Sequence, residues 1–372
     1  CDRCRVLLDE PADAIRGRES GMTQRIEWID AAKGLGISLI VLGHVWSLSD
    51  PPLFYQWMFA FHVPLFFFIS GLTLKPAAGP LGRVVAGKVR TLLVPYFVFA
   101  LLGYLFYVAG YVVAGMLGRE IEQFEYGLWV PLFGILHGTL GDGYLVNSPL
   151  WFLPALFVTF VAGYLVNTYI AQHGLRMLMV LGVAAFGIWL GDRYRLPFGL
   201  LPAMIALLFF QAGYYFRRFA VSDRISMRAG SVLLVLLFVV SLAAPLNGAV
   251  GIADMNVNQP LLFLAFAFNG ILMSVLFVQR AGVLSGPLAL VGRHSLAILV
   301  LHMLVIKSVK VVFLVVFGVD FATMEHSLLL GLAVLAVSTL LMIPCIYAME
   351  RWLPQTLGRR RGMRWGEMRA NG

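Results

Sequence analysis

Long apolar blocks make up most of this chain, separated by short charged stretches. Blocks of ~17–25 residues are long enough to cross a bilayer as helices. They fall near 29–48, 53–74, 91–117, 150–169, 175–190, 197–216, 229–246, 259–279, 288–316 and 327–349. The pattern predicts an all-α fold, a polytopic transmembrane helical bundle of about ten spans. Residues 127–140 are apolar but too short to cross, which predicts a re-entrant or interfacial segment.

Charge in the connecting loops orients the bundle. The stretch 75–90 carries Lys75, Arg83, Lys88 and Arg90 with no acid, and 217–228 carries Arg217, Arg218, Arg224 and Arg228 against Asp223. The tail 350–372 has six arginines against Glu350 and Glu367. Between them, 118–149 sets Arg119 against Glu120, Glu122, Glu125 and Asp142, and 317–326 holds Asp320 and Glu325. Basic loops belong on the cytoplasmic side, so both termini are expected there, N-in and C-in. The stretch 191–196, with Arg193 and Arg195 against Asp192, runs mildly against this. No linker or internal repeat marks a second unit. The expected organisation is a disordered cytoplasmic tail over 1–24 with Met22 as a natural start, a membrane domain over 25–353, and a basic cytoplasmic tail over 354–372.

Composition agrees. Of 372 residues, 60% are hydrophobic and 13% charged, against ~25% charged in globular chains. The net charge of +9 is accounted for by loop charge, and no nucleic acid partner is expected. The first apolar run is too long, and keeps too polar a face, for a secretory signal. Cys1 and Cys4 form a CxxC with no second pair and Cys345 lies in an apolar block, so neither a disulfide framework nor a metal site is expected.

The chemistry lies in the ionisable groups inside these blocks, because such groups are costly in lipid. Lys33 and His44 are eleven residues apart, which puts them on one helical face with roughly 16 Å between them along the axis. Asp30 can pair with Lys33 from three positions earlier. An interfacial ion pair with a satisfied buried histidine is the plainer alternative. In the second block, His62 sits beside Pro64, where a helix kinks, and packing against a carbonyl is its plainer role. Lys88 and Arg90 open the third block, where two cations suit a phosphate-rich ligand or simply mark the cytoplasmic side. Pro149, Trp151 and Pro154 shape the start of the fourth, with an aromatic face able to stack on a sugar. In the ninth, His302 lies well inside, and Lys307 and Lys310 follow it. No Walker loop, GxGxxG, HExxH or Ser-His-Asp order occurs.

Taken together these segments resemble the acyltransferase-3 family of bacterial integral-membrane O-acyltransferases, most nearly its fucose-4-O-acetylase-like branch. The resemblance runs from about Arg25 to Leu353. It rests on the basic residue, ten positions and histidine of Lys33 to His44, and on Phe67-Phe68-Ile69-Ser70-Gly71. It rests also on Arg90 to Pro95, on Trp151-Phe152-Leu153, and on Ser295 to His302, where His294 replaces the family's Asn. The resemblance implies transfer of an acyl group, usually acetyl, from cytoplasmic acyl-CoA to a hydroxyl of an envelope or exported glycan. It places the protein in the bacterial inner (cytoplasmic) membrane, with a polysaccharide-biosynthesis complex as a candidate partner. Acetyl-CoA is then the expected donor. Lys33, Lys88 and Arg90 are expected to hold it, and His44, Asp30, His62 and His302 to serve the chemistry. His44 acts either as general base or as acyl carrier. The outer segment 118–153, with His137, Asp142, Asn147 and Trp151, is expected to bind the acceptor, or else to be only a charged lid. A glycan or anionic-metabolite transporter or flippase, and a non-catalytic member of an export complex, are the rival readings.

Overall fold

The computed structural model describes residues 12–46, 51–75, 79–116, 118, 124–140 and 145–359, the side chains of 12–26 excepted. Among them are nine helices or helix pairs long and apolar enough to cross a membrane. A further long helix, α1 (Ala12–Gly43), carries the first apolar block. The chain is thus a multi-pass, all-α membrane protein, and among the described residues its one β feature is an isolated bridge between Gly251 and Asn256. α1 begins upstream of the boundary expected at residue 25. Cys1 and Cys4, and most of the basic tail, lie outside the described residues.

Three spans depart from the uniform helices that hydropathy alone suggests. The second is broken: α2 (Leu53–Phe59) and α3 (His62–Leu72) meet at Ala60–Phe61. Pro64 therefore falls in the first turn of α3, where its missing N–H costs nothing, and the break rather than a proline kink presents His62. The third is longer than expected. α4 (Leu81–Lys88) continues through a π-helical turn, Val89–Leu93, into α5 (Val94–Met116). The ring of Pro95 would collide with the Thr91 carbonyl in a regular helix, and the wider turn relieves that. The ninth is interrupted at His294, which separates α13 (Ser285–Arg293) from α14 (Ser295–Phe317).

The remaining helices are α6 (Trp129–His137), α7 (Phe152–Tyr169), α8 (His173–Gly191), α9 (Leu200–Arg218) and the short α10 (Val221–Arg224). They are followed by α11 (Met227–Ser241), α12 (Pro260–Arg280), α15 (Phe321–His326) and α16 (Leu328–Trp352). α1 packs against α13, α3, α12 and α14, so it runs through the interior of the bundle. Its contact with α13 is close enough that a Cβ on Gly34 would overlap the Leu288 carbonyl, and one on Gly292 the Asp30 carbonyl. Gly71 of α3 and Gly213 of α9 make a second reciprocal contact of this kind, against the carbonyls of Phe210 and Phe68. Small residues let helix backbones approach in membranes, where burial of apolar surface gives little drive. The outer ring is different: Val232, Val235, Leu236 and Val239 of α11 are exposed, as expected of a lipid-facing helix.

α6 is the short segment expected not to span, and it lays one face on the bundle, with Pro131, Gly134 and Ile135 buried and Trp129, Phe133 and Leu136 exposed. The Tyr96 hydroxyl donates to the Ile135 carbonyl at 2.7 Å. Gly138 ends the helix in the left-handed conformation, against Tyr96, Pro154 and Phe198. Irregular backbone is tolerated at such positions only when protein surrounds it. A second folded segment, 244–259, was not anticipated. Val250, Ile252, Met255 and Val257 are buried in the main core. Asn247 and Asn258 tie its backbone, with Asn258 Nδ2 donating to the carbonyls of Asn247 and Ala249 at 2.7 and 2.8 Å. Its apolar residues are too scattered to register as a span, and its asparagines read as an ordinary loop.

Candidate active site

Between α1, α3, α4, the π-helical turn after it, α7 and α14 lies a cavity of about 280 Å³. Lys33 and Lys88 line it, with Ser70, Thr73 and Ser295 as further polar groups. Ile37, Ile40, Phe66, Phe152 and Leu299 are among its apolar walls. Lys33 Nζ is 3.1 Å from the Asp30 carboxylate, the pair expected from their spacing. The Lys88 ammonium sits 3.9 Å over the centre of the Phe160 ring. Both cations thus come from different helices to one cavity. Arg90 is exposed on the π-helical turn and is absent from the lining. Asp30 belongs to this end as well, roughly 21 Å along the helix axis from His44.

Ile40, one turn before His44, is the deepest α1 residue in the lining. His44 follows the end of α1 and is partly accessible. Its ring centre is 5.3 Å from that of His302, at an interplanar angle of 43°. His302 is fully buried, and His62 nearly so. Phe59 bridges toward His62, with ring centres 4.4 Å apart and the rings edge to face. Among the described residues, His302, His62, Lys307 and Lys310 are the ionisable groups close enough to act electrostatically on His44.

Hydrogen bonds fix the state of two of these rings. His302 Nδ1 is 3.0 Å from the Ile298 carbonyl, and His62 Nδ1 is 2.8 Å from that of Met58. A carbonyl only accepts, so in both rings Nδ1 carries the proton and Nε2 presents a lone pair. His302 Nε2 and His44 Nδ1 are buried and have no partner. Buried polar atoms are nearly always bonded, so a pair of orphans this close together marks a place that a ligand or a moving proton completes. The arrangement can accept a proton, pass it between imidazoles, and do so next to an apolar cavity with a cationic lip.

The other expected residues do not join this cluster. Trp151 is buried in the short turn Ser148–Trp151 and packs edge to face on Phe152. His137 ends α6 and contacts the Thr139 hydroxyl. Asn147 is buried, with Nδ2 donating to the Val300 carbonyl at 3.0 Å. Val300 lies about 200° around α14 from His302, so this contact is on another side of the helix. Asp142 lies outside the described residues. His294 Nδ1 donates to the Glu350 carboxylate at 3.0 Å, and Arg359 meets the same carboxylate at 2.9 Å. It ties the break before α14 to the end of α16, a role that its position in the sequence did not suggest.

A cavity with two lysines at its lip and a histidine pair beyond it thus lies within a multi-pass membrane protein. The model of the acyltransferase-3 family, described as an acyltransferase domain, matches residues 26–347, and the chain belongs to that family. No curated protein and no solved structure matches the chain. The protein is therefore a membrane acyltransferase.

Proposed function

We propose that this enzyme is an O-acetyltransferase of the fucose-4-O-acetylase-like branch, moving acetyl from cytoplasmic acetyl-CoA to a hydroxyl of an envelope or exported glycan. It would work in the bacterial inner membrane with both termini in the cytoplasm. The observation that carries this reading is the cavity that begins at Lys33 and Lys88 and whose α1 wall ends one turn short of the His44–His302 pair. Lys33, oriented by Asp30, and Lys88 bind the phosphates of the donor, and Arg90 adds long-range charge at the surface. The apolar walls take the uncharged pantetheine arm and bring the thioester toward His44.

A sugar hydroxyl is a poor nucleophile, and His44 supplies the base. It takes the hydroxyl proton as the oxygen attacks the thioester carbonyl. The C–S bond then breaks and the proton passes to the departing CoA thiolate, so no proton is left over. His302 Nε2 is placed to share that proton with His44, and His62 closes the other side. In the covalent variant, an imidazole nitrogen of His44 takes the acetyl group first, CoA leaves as the thiol, and the hydroxyl attacks the acyl-imidazole. Acid quench of a single turnover separates the two, since only the covalent route leaves radiolabel on the protein.

The test uses purified protein in nanodiscs, radiolabelled acetyl-CoA and the glycan extracted from a strain lacking the gene. Label is expected on a glycan hydroxyl. Glycan movement across the bilayer without consumption of acetyl-CoA would overturn the reading in favour of a transporter.

A further inference from the structure

Lys307 is a cation inside a spanning helix that the acid–base scheme leaves unused. Its ammonium donates to the Val146 carbonyl at 3.2 Å, and it has no other hydrogen-bond or ion-pair partner among the described residues. The neighbouring cation, Lys310, is matched by Glu325 at 2.7 Å. Among the described residues Lys307 has no such carboxylate. An ammonium without a counter-ion in a membrane span is costly, and such groups face a cavity or a ligand rather than lipid.

Asn147 stands beside it. It is 1% exposed, and while its Nδ2 is bonded to Val300, its Oδ1 is buried without a partner. Val146 and Asn147 are thus clasped to α14 at two points, Val300 and Lys307, seven residues and so about two turns apart on the same face. The clasp leaves one orphaned acceptor and one ammonium with N–H bonds still to give. The Lys307 ammonium is also near enough to His44 to act on it electrostatically.

We infer that Asn147 and Lys307 form an acceptor subsite that selects an acidic glycan, an inference that rests on the acyl-transfer reading above. A carboxylate or phosphate of the sugar unit accepts from the Lys307 ammonium. A hydroxyl of the same unit donates to Asn147 Oδ1. A neutral glycan leaves the ammonium uncompensated and binds less well.

The same anion chemistry would serve a dicarboxylic acyl group such as succinyl, so the experiment carries both arms. Acetyl-CoA and succinyl-CoA are each presented with the glycan extracted from a strain lacking the gene. One portion of the glycan is intact, and another has its carboxyls reduced and its phosphates removed. Wild type is expected to favour the intact glycan by about tenfold to a hundredfold in kcat/KM, the worth of one hydrogen bond to a charged group. Lys307→Gln should abolish that preference through KM for the glycan, leave KM for acetyl-CoA unchanged, and be largely rescued by Lys307→Arg. Asn147→Asp, which supplies an internal counter-ion without removing Lys307, should abolish it too. Equal use of both glycans by wild type, or an undiminished preference in both Lys307→Gln and Asn147→Asp, overturns the inference while the acyl-transfer reading stands. A defect seen only with succinyl-CoA moves the anion to the acyl group and overturns the acceptor assignment. No transfer to either glycan by wild type brings down the acyl-transfer reading itself.

Discussion

The two ends of the spanning part of α1 are built on opposite terms. Around Lys33 the charged groups already have partners: Asp30 faces Lys33, and Lys88 rests on Phe160. The space there is open, a cavity of about 280 Å³. Around His44 the polar atoms lack partners, with His44 Nδ1 and His302 Nε2 both buried and unbonded. The apolar packing there is close, with Val41, Val45, Ile306 and Val334 in one buried cluster. The contrast teaches that the Lys33 end is already satisfied by its own side chains, whereas the His44 end leaves buried polar atoms open. Preorganised sites give up less on binding. Orphaned buried groups cost stability until they are satisfied.

The sharpest way to break the comparison is to remove the imidazole at the incomplete end. His44→Ala should lower acyl transfer by ~10²–10⁴-fold, the usual worth of a general base. Membrane insertion and acetyl-CoA binding should survive, as read by size-exclusion profile and ligand-induced stabilisation. A rate above about half of wild type removes His44 from the chemistry.

Disturbing the frame that holds both ends comes next. Gly292→Leu forces α13 away from the Asp30 carbonyl of α1. Overpacking of this kind typically costs 1–3 kcal/mol, about that much of a fold's margin, and thermal unfolding in detergent should report it. Because α1 carries both Lys33 and His44, donor affinity and turnover should fall together. An unchanged melting point would mean that the close helix contact is not a stabilising one.

At the preorganised end the expected losses are smaller. Lys33→Ala and Lys88→Ala should each weaken acetyl-CoA binding by about tenfold, the scale of one charge-assisted contact. Lys33→Arg should keep part of the affinity. Arg90→Ala should cost less than either, since Arg90 does not line the cavity. Equilibrium binding decides the order, and an Arg90 effect larger than that of Lys88 would relocate the phosphate site.

The smallest effect lies outside the membrane. Asp320 caps α15, accepting from the Thr323 amide at 2.7 Å and from its hydroxyl at 2.8 Å, and these bonds hold its carboxyl below the usual carboxylate range. A lowered value means that the cap is fully formed above the ordinary Asp pKa of ~3.9 and is lost as pH falls through the lowered one. Hydrogen exchange over 321–326 should therefore show no added protection above that range and fraying below it. Because α15 carries Glu325, the partner of Lys310, this fraying would loosen the incomplete end without touching the donor cavity.

The sequence alone determined what local rules govern. Span number follows from the length of apolar blocks, since a bilayer of fixed thickness demands helices of fixed length. The common face of Asp30, Lys33 and His44 follows from helical period, and the short 127–140 segment was legible by being too short to cross. Tertiary structure decided the rest, because it depends on contacts between residues far apart in the chain. Nothing in the chain order says that His302 meets His44, that Lys88 joins Lys33 while Arg90 stays outside, or that Lys307 clasps Val146. The breaks at Ala60–Phe61 and His294 were hidden for a related reason: hydropathy sums side chains over a window and does not register where the backbone turns. The buried segment 244–259 escaped because its few apolar residues earn their burial from neighbouring helices rather than from any periodicity of their own.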